Sequence, residues 1–231
     1  AASHAVQFVS ENHHLSSQEL NEHCEAVASV AEGLFEKAFV TAQLTHAGSA
    51  LVLKGTEGHL ARDIVAPKSY EEAMRGRFAK LWQDSIQNEL ANLKSMNTYR
   101  WVHPKPSQRT IGTITAFKVK PDEQGRVKQF KARVCARGYL QVKGRDFYSS
   151  FAPVSVITTF RSLVARSAAE GLWCATLDVR SAFLEAPLSA PVLCIPPPGC
   201  EPPEPGMVWV LEKCLYGLKQ SAHQWHKLLS K

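Results

Sequence analysis

Acidic residues stand next to one another only twice in this sequence, at Glu71-Glu72 and Asp122-Glu123, and no two aspartates are adjacent. Chemistry that needs a ready-made pair of carboxylates on one turn therefore has little to build on. The six cysteines (Cys24, Cys135, Cys174, Cys194, Cys200, Cys214) make no C-x-x-C pair, and the nine histidines make no H-E-x-x-H or H-x-x-x-H pair. That spacing fits no common zinc module, including a set drawn from Cys194, Cys200 and Cys214 with His223 or His226. Scattered free thiols in a reducing compartment are the plain reading. No stretch approaches the roughly 20 apolar residues that span a bilayer, so no membrane association is expected. The opening AASHAVQFVSENHHLSS lacks the basic and apolar regions of a secretory signal. It also lacks an initiator methionine, which reads as a fragment or a processed product.

What is present is an uneven charge. Residues 1–68 carry 4 Lys+Arg against 8 Asp+Glu, whereas residues 69–231 carry 23 against 13. Residues 100–145 alone hold 12 basic and 2 acidic side chains, the whole excess of the second part. A basic concentration of this size favours a polyanion through counterion release and steering. The first 68 residues, acidic and holding six of the nine histidines, read as a connector. One helix is predicted there, SSQELNEHCEAVASVAEGLFEKAF, with an apolar stripe at Leu20, Cys24, Val27, Val30 and Leu34.

From Ser69 the pattern is that of a folded α+β domain. Ser69 followed by Glu71 and Glu72 predicts a helix start, and Phe78, Trp82, Ile86, Leu90 and Leu93 mark one helical stripe ending at Asn97-Thr98. TIGTITAFKVK and VKQFKARVCARGY, on either side of an Asp-Glu-Gln-Gly turn, predict a β-hairpin. Lys118, Lys120, Lys128, Lys131, Arg133 and Arg137 alternate there with apolar residues, which predicts one basic and one apolar face. A second helix is predicted over SVITTFRSLVARSAAEGL, capped by Thr158 or Thr159, with Phe160, Leu163, Val164 and Ala168 as its stripe. WCATLDV reads as a buried strand ending in Asp178, VLCIPPPGCEPPEPG as a strand entering a proline-rich loop, and MVWVLEKCLYGLKQ as a strand and tight glycine turn. SAHQWHKLLSK begins a last helix. On its own, Asp178 reads either as a metal-binding carboxylate at a strand end or as a turn cap.

The order of segments narrows the choice. W82-x3-I86-x2-E89-x3-L93, N97-T98-Y99, FKVK (117–120), KARVCARGY (131–139), GRDFYSSFAPV (144–154), TTFRSLVA, LDVRSAFLEAPL, PPPG (196–199) and CLYGLKQS (214–221) follow one another. This series resembles the reverse transcriptase of copia-type (pseudovirus) LTR retrotransposons, from about residue 69 onward. The resemblance implies a partial right-hand polymerase, fingers and the first half of the palm, preceded by a connector at 1–68. It implies Asp178 as the first catalytic aspartate and metal ligand, with the Val179 carbonyl as a further ligand. Arg133 with Lys118 or Lys120 would hold a triphosphate, Phe183 would gate the sugar, and the turn at Gly217, Leu218 and Lys219 would contact the template–nucleotide pair. It further implies Mg²⁺, an RNA or DNA template-primer and dNTPs. The rest of a polyprotein (remaining palm, thumb, ribonuclease H) and an intracellular setting, cytoplasmic in a virus-like particle or nuclear, belong to the same expectation. Ile114, Thr115, Ala116, Val156, Ala222 and His223 depart from the family pattern, as in a divergent copy. The second acidic motif, an aromatic-x-Asp-Asp hairpin, is not in these residues, so they are expected to be inactive alone.

Overall fold

A computed structural model of the chain describes residues 55, 56, 59–170 and 179–231. The helix predicted near the N-terminus and the WCATLDV strand with Asp178 lie outside the described residues. The chain divides into two compact units, Ala1–Gly48 with Pro153–Ala182, and Ser49–Ala152 with Phe183–Lys231.

The larger unit mixes helices and strands. Helix α1 (Tyr70–Arg75) starts where Ser69 Oγ accepts the Glu72 N–H at 3.1 Å, while Glu72 Oε2 accepts the Lys68 N–H at 2.7 Å. The first bond satisfies one of the N–H groups a helix start leaves over, and the second ties the residue before the cap to the helix's first turn. Instead of continuing as one helix, the chain breaks at Gly76, whose extended backbone (φ −75°, ψ 165°) closes α1. Glycine gains least from helical backbone, and here it separates two helices that the stripe alone would have joined. Helix α2 (Ala79–Ser95) then buries Trp82, Ile86, Leu90 and Leu93, as the spacing predicts. It ends with Asn97 in left-handed backbone (φ 51°), where the Thr98 N–H reaches Leu93 O and the Asn97 N–H reaches Lys94 O, both at 3.0 Å. Asparagine is among the few residues other than glycine that adopt this stop readily.

Six strands follow. β1 (Tyr99–Val102), β2 (Thr110–Ile111), β5 (Pro187–Cys194) and β6 (Val208–Lys213) form a sheet in the order β1-β6-β5-β2. β6 runs antiparallel to both neighbours, and β2 runs parallel to β5. β3 (Thr113–Pro121) and β4 (Val127–Ala136) form the expected hairpin. Ile86, Leu90 and Leu93 of α2 share one core with Val134 of β4 and with Trp209 and Leu211 of β6. A smaller cluster joins Ala73, Trp82, Val127 and Phe130, with the Trp82 and Phe130 rings edge to face at 4.5 Å. Helix α4 (Ser221–Leu229) follows the glycine turn.

In the smaller unit, α3 (Ile157–Ala169) starts after Val156, without a side-chain cap. Thr158 and Thr159 therefore lie inside its first turn and not at its cap. Its stripe residues Phe160, Leu163 and Val164 are exposed, and Ser167 is its buried position. Among the described residues no helix is long and apolar enough to cross a membrane.

Candidate nucleotide and nucleic-acid interface

The hairpin's alternation sorts its side chains by face. Thr113, Phe117, Phe130, Ala132 and Val134 turn toward the core, while Lys118, Lys120, Lys131 and Arg133 lie on the opposite face. Lys118 stands directly across from Lys131, and Arg133 across from Ala116. Like charges in register disfavour folding, and the Glu89 carboxylate interacts with Lys131 and Arg133 from the neighbouring helix. Two of the six predicted basic residues leave it. Lys128 is the extra residue where the register slips (Lys120 opposite Gln129, Pro121 opposite Val127), and Arg137 lies beyond the end of β4. Lys128 stands an odd number of residues from Lys131 and Arg133, so a strict two-residue period already sets it off their face, and the bulge brings Val127 onto the core side.

Among the described residues β4 has no third strand beside it, yet its outer edge finds partners. Ser85 Oγ accepts the Ala132 N–H at 2.7 Å and donates to Phe130 O at 2.9 Å. Glu89 Oε1 accepts the Val134 N–H at 3.3 Å. The Ala136 N–H donates to Tyr216 O at 2.7 Å. Burial raises the Glu89 carboxyl pKa above its ordinary value, opposed by the Val134 N–H and by the charges of Lys131 and Arg133.

The last of these contacts brings the two glycine motifs together. A Cβ on Gly138 would collide with Gly217 O, and a Cβ on Gly217 with Ala136 O. Gly217 also needs left-handed backbone (φ 85°). Backbones this close admit no side chain on either strand of the crossing. Beside them, the buried Gln141 accepts the Lys219 N–H at 2.9 Å and donates to Gln220 Oε1 at 3.0 Å. Gln220 Nε2 in turn donates to Asp146 O at 3.4 Å. Asp146 also accepts from the Val142 N–H at 2.8 Å and from Arg109 at 3.2 Å. Hydrogen bonding from Arg145 holds its pKa below the usual carboxylate range.

This lock sets Tyr216 between two predicted site residues. The Arg133 guanidinium carbon lies 5.4 Å from the Tyr216 ring centroid, within cation–π range. The Phe183 ring is tilted against the same tyrosine, with centroids 5.8 Å apart. Phe183 is half-buried in the 3-10 turn Ala182–Glu185. Arg133, Phe183 and Gly217 are thus neighbours around Tyr216. Lys118 and Lys120 share the face of Arg133, two and four cross-strand pairs along from it on β3. Lys219 is exposed, its Nζ 5.8 Å from the Phe147 ring centroid. Val179 takes part in a single β-bridge in the other unit. Tyr216, Gln141 and Gln220 all fall within or beside the quoted motifs, but residue type alone gave no sign of their contacts.

Among the described residues no three His, Cys, Asp or Glu side chains come together as a metal site. Cys135, Cys194, Cys200 and Cys214 are free thiols, and burial pushes Cys194 up to about 12 and Cys214 up to about 11. Cys194 and Cys214 stay protonated at neutral pH and are poor ligands or nucleophiles.

The fold defines a mixed helix and strand domain with one basic, open hairpin face. Residues 96–231 match the family described as reverse transcriptase (RNA-dependent DNA polymerase), and the chain belongs to that family. It is 33% identical over 172 residues to the retrovirus-related Pol polyprotein from transposon TNT 1-94 of Nicotiana tabacum, covering 74% of this chain and 13% of that protein. The corresponding polyproteins from transposons RE1 and RE2 of Arabidopsis thaliana are 31% identical over 185 residues and 34% identical over 148. They match 79% and 63% of this chain, which covers 13% and 10% of their own lengths. The chain thus spans a small fraction of the curated relatives it matches. No solved structure matches it.

Proposed function

We propose that residues 69–231 are the fingers and first half of the palm of a right-hand polymerase, with residues 1–68 as a connector. The parent polyprotein would carry out RNA-directed DNA synthesis on a template-primer with dNTPs. The contact of Arg133 and Phe183 with the same Tyr216 ring carries this reading. A guanidinium can pair with phosphate oxygens through two parallel bonds, and Lys118 and Lys120 beside it add positive charge. A half-buried aromatic ring near that cation is suited to lie against the sugar and leave no room for a 2′-hydroxyl. The turn at Gly217, Leu218 and Lys219 is assigned to the template–nucleotide pair by its place in CLYGLKQS.

The family implies a divalent metal, for which Mg²⁺ is the natural candidate. Asp178 and the Val179 carbonyl are assigned to it by their place in LDVRSAFLEAPL alone. Such an ion would polarise phosphate oxygens and activate the attacking hydroxyl. These 231 residues contain no Asp-Asp pair, so the remaining carboxylates have to come from outside them.

The test is dNTP binding to the chain with a primer-template present. Arg133→Ala weakens it roughly 10-fold or more, the loss of at least one charge-assisted bond, and Arg133→Lys restores part. Phe183→Ala narrows the preference for dNTP over rNTP. Unchanged binding and preference in both variants would refute the assignment. In primer extension the chain alone adds no nucleotide, and extension abolished by Asp178→Ala would overturn that part.

The basic hairpin face also favours a second reading, a non-catalytic nucleic-acid-binding module. Salt-sensitive binding to an RNA–DNA hybrid without any dNTP binding would select it.

A further inference from the structure

Arg137, excluded from the hairpin's basic face, borders an open cleft of about 440 Å³ within the larger unit. Gly112 and Thr113 form one side, and the proline-rich segment from Ile195 to Pro202 forms the other. The cleft is held in shape by its surroundings. Thr113 Oγ1 donates to Ile195 O at 2.8 Å, and the Ile195 N–H donates to Ile111 O at 2.8 Å. Pro197 is fully buried, and Gly199 turns in left-handed backbone (φ 84°) against the Tyr70 ring.

Three other arginines of the larger unit are committed and Arg137 is not. Arg100 pairs with Glu212, Arg109 with Asp146 and Arg126 with Asp122. The Arg137 guanidinium has no hydrogen-bond or ion-pair partner among the described residues. Its stem crosses Gly112, where a Cβ would sit 3.2 Å from Cδ and 3.3 Å from Nε. Gly112 thus lets the arginine lie along the backbone at the cleft edge. The other walls are flat and apolar, with Ile195 half exposed, and Glu201 is a single carboxylate among them.

We propose that this cleft seats one unpaired nucleotide of a bound nucleic-acid strand, with Arg137 on its phosphate and Ile195 and the proline segment against its base. The inference rests on the reading that the chain binds nucleic acid, and adds a contact outside the site around Tyr216. A free cation beside a rigid apolar wall suits a group that is anionic at one end and planar at the other. An acidic peptide would satisfy the cation and leave the wall unused. A paired base is shielded within its duplex, whereas an unpaired one can turn out onto such a wall. The other basic residues within 100–145 supply the wider attraction for the strand. Glu201 is an acceptor suited to an exocyclic amino group.

The experiment compares two probes on the full 231-residue chain, a blunt RNA–DNA hybrid and the same hybrid with a short unpaired extension. The extension strengthens binding, and Arg137→Ala removes roughly 10-fold of that gain while leaving the blunt hybrid unchanged. Cys200, which also lines the cleft, reports occupancy. The extended probe slows its alkylation and the blunt probe does not, with Cys200→Ser identifying the labelled site. Equal losses on both probes, or Cys200 alkylation indifferent to the extension, would overturn the proposal. Displacement of the extension by an acidic peptide of equal charge would assign the cleft to a protein segment instead. Failure to bind either probe would sink the nucleic-acid reading itself, and this inference with it.

Discussion

Three glycines separate two reasons for having no side chain, and substituting each by alanine measures them. At Gly125 the backbone is left-handed (φ 79°) and the space beyond is open. At Gly138 the φ is ordinary, but a Cβ would strike Gly217 O. At Gly217 both apply, since φ is 85° and a Cβ would strike Ala136 O. Left-handed backbone costs a residue with a Cβ about 1–2 kcal/mol. Forcing an atom into a filled space costs about 1–3 kcal/mol, and the upper end applies because a backbone carbonyl cannot rotate away. The expected order is therefore Gly125→Ala mildest, at about 1–2 kcal/mol, then Gly138→Ala at about 3. Gly217→Ala follows at about 4–5 kcal/mol, a large share of the about 5–15 kcal/mol that holds a typical domain together. Urea unfolding followed by tryptophan fluorescence reads the midpoints, with Trp82 and Trp209 buried in the two cores. Because both clashes lie at one crossing, the Gly138→Ala/Gly217→Ala double variant should lose less than the sum. The reasoning fails if Gly138→Ala stays within about 0.5 kcal/mol of the parent, the range of an ordinary surface change. It fails equally if Gly217→Ala is no worse than Gly125→Ala.

Glu89→Gln keeps an acceptor for the Val134 N–H and removes a titration. Because burial raises the Glu89 pKa in the fold, its stabilising contribution is full below the unfolded value of 4.5 and lost as pH rises through the folded value. Urea midpoints of the variant should therefore gain on the parent as pH rises above that window, and a constant gap would refute the assignment. Ser85→Ala leaves the Ala132 N–H and the Phe130 carbonyl without their partner, costs about 1–3 kcal/mol, and speeds amide exchange at Ala132. Gln141→Ala leaves the Lys219 N–H and the Gln220 amide oxygen unsatisfied at similar cost, and Gln141→Leu, equally buried but apolar, should not restore stability.

Period and punctuation made much of the larger unit legible in the sequence. The β3–β4 hairpin announces itself by alternation around Asp122-Glu123-Gln124-Gly125, and the α2 stripe by its spacing of three and four. What escaped was whatever depends on a partner distant in sequence. Ser85 and Glu89 read as ordinary helix-surface residues until β4 is seen to need acceptors along its edge. Gly217 reads as a turn glycine and Gly138 only as part of KARVCARGY, and nothing local says that their backbones meet. Lys128 did not belong with Lys131 and Arg133 even by period, being three and five residues from them, and what the bulge changes is that Val127 becomes a core residue. Thr158 and Thr159 look like caps by type, but Val156 is the residue whose backbone (φ −77°, ψ 136°) remains extended.

The closed edge of β4 explains why the basic face can exist. A two-stranded hairpin with an open edge is marginal and prone to pair with another strand. A third strand would settle that edge, but it would also add a third row of side chains beside Lys131 and Arg133. Here the edge is met by a hydroxyl, a carboxylate and one carbonyl from Ser85, Glu89 and Tyr216, which finish the backbone pairing without widening the sheet. The same Glu89 puts a negative charge near Lys131 and Arg133, which eases the repulsion between Lys118 and Lys131. Tyr216, in giving its carbonyl to Ala136, brings its ring beside Arg133. Edge protection and site construction are therefore one arrangement. A change that frees the edge, such as Ser85→Ala, should loosen the hairpin before it touches Arg133, whereas Gly217→Ala should disturb both together.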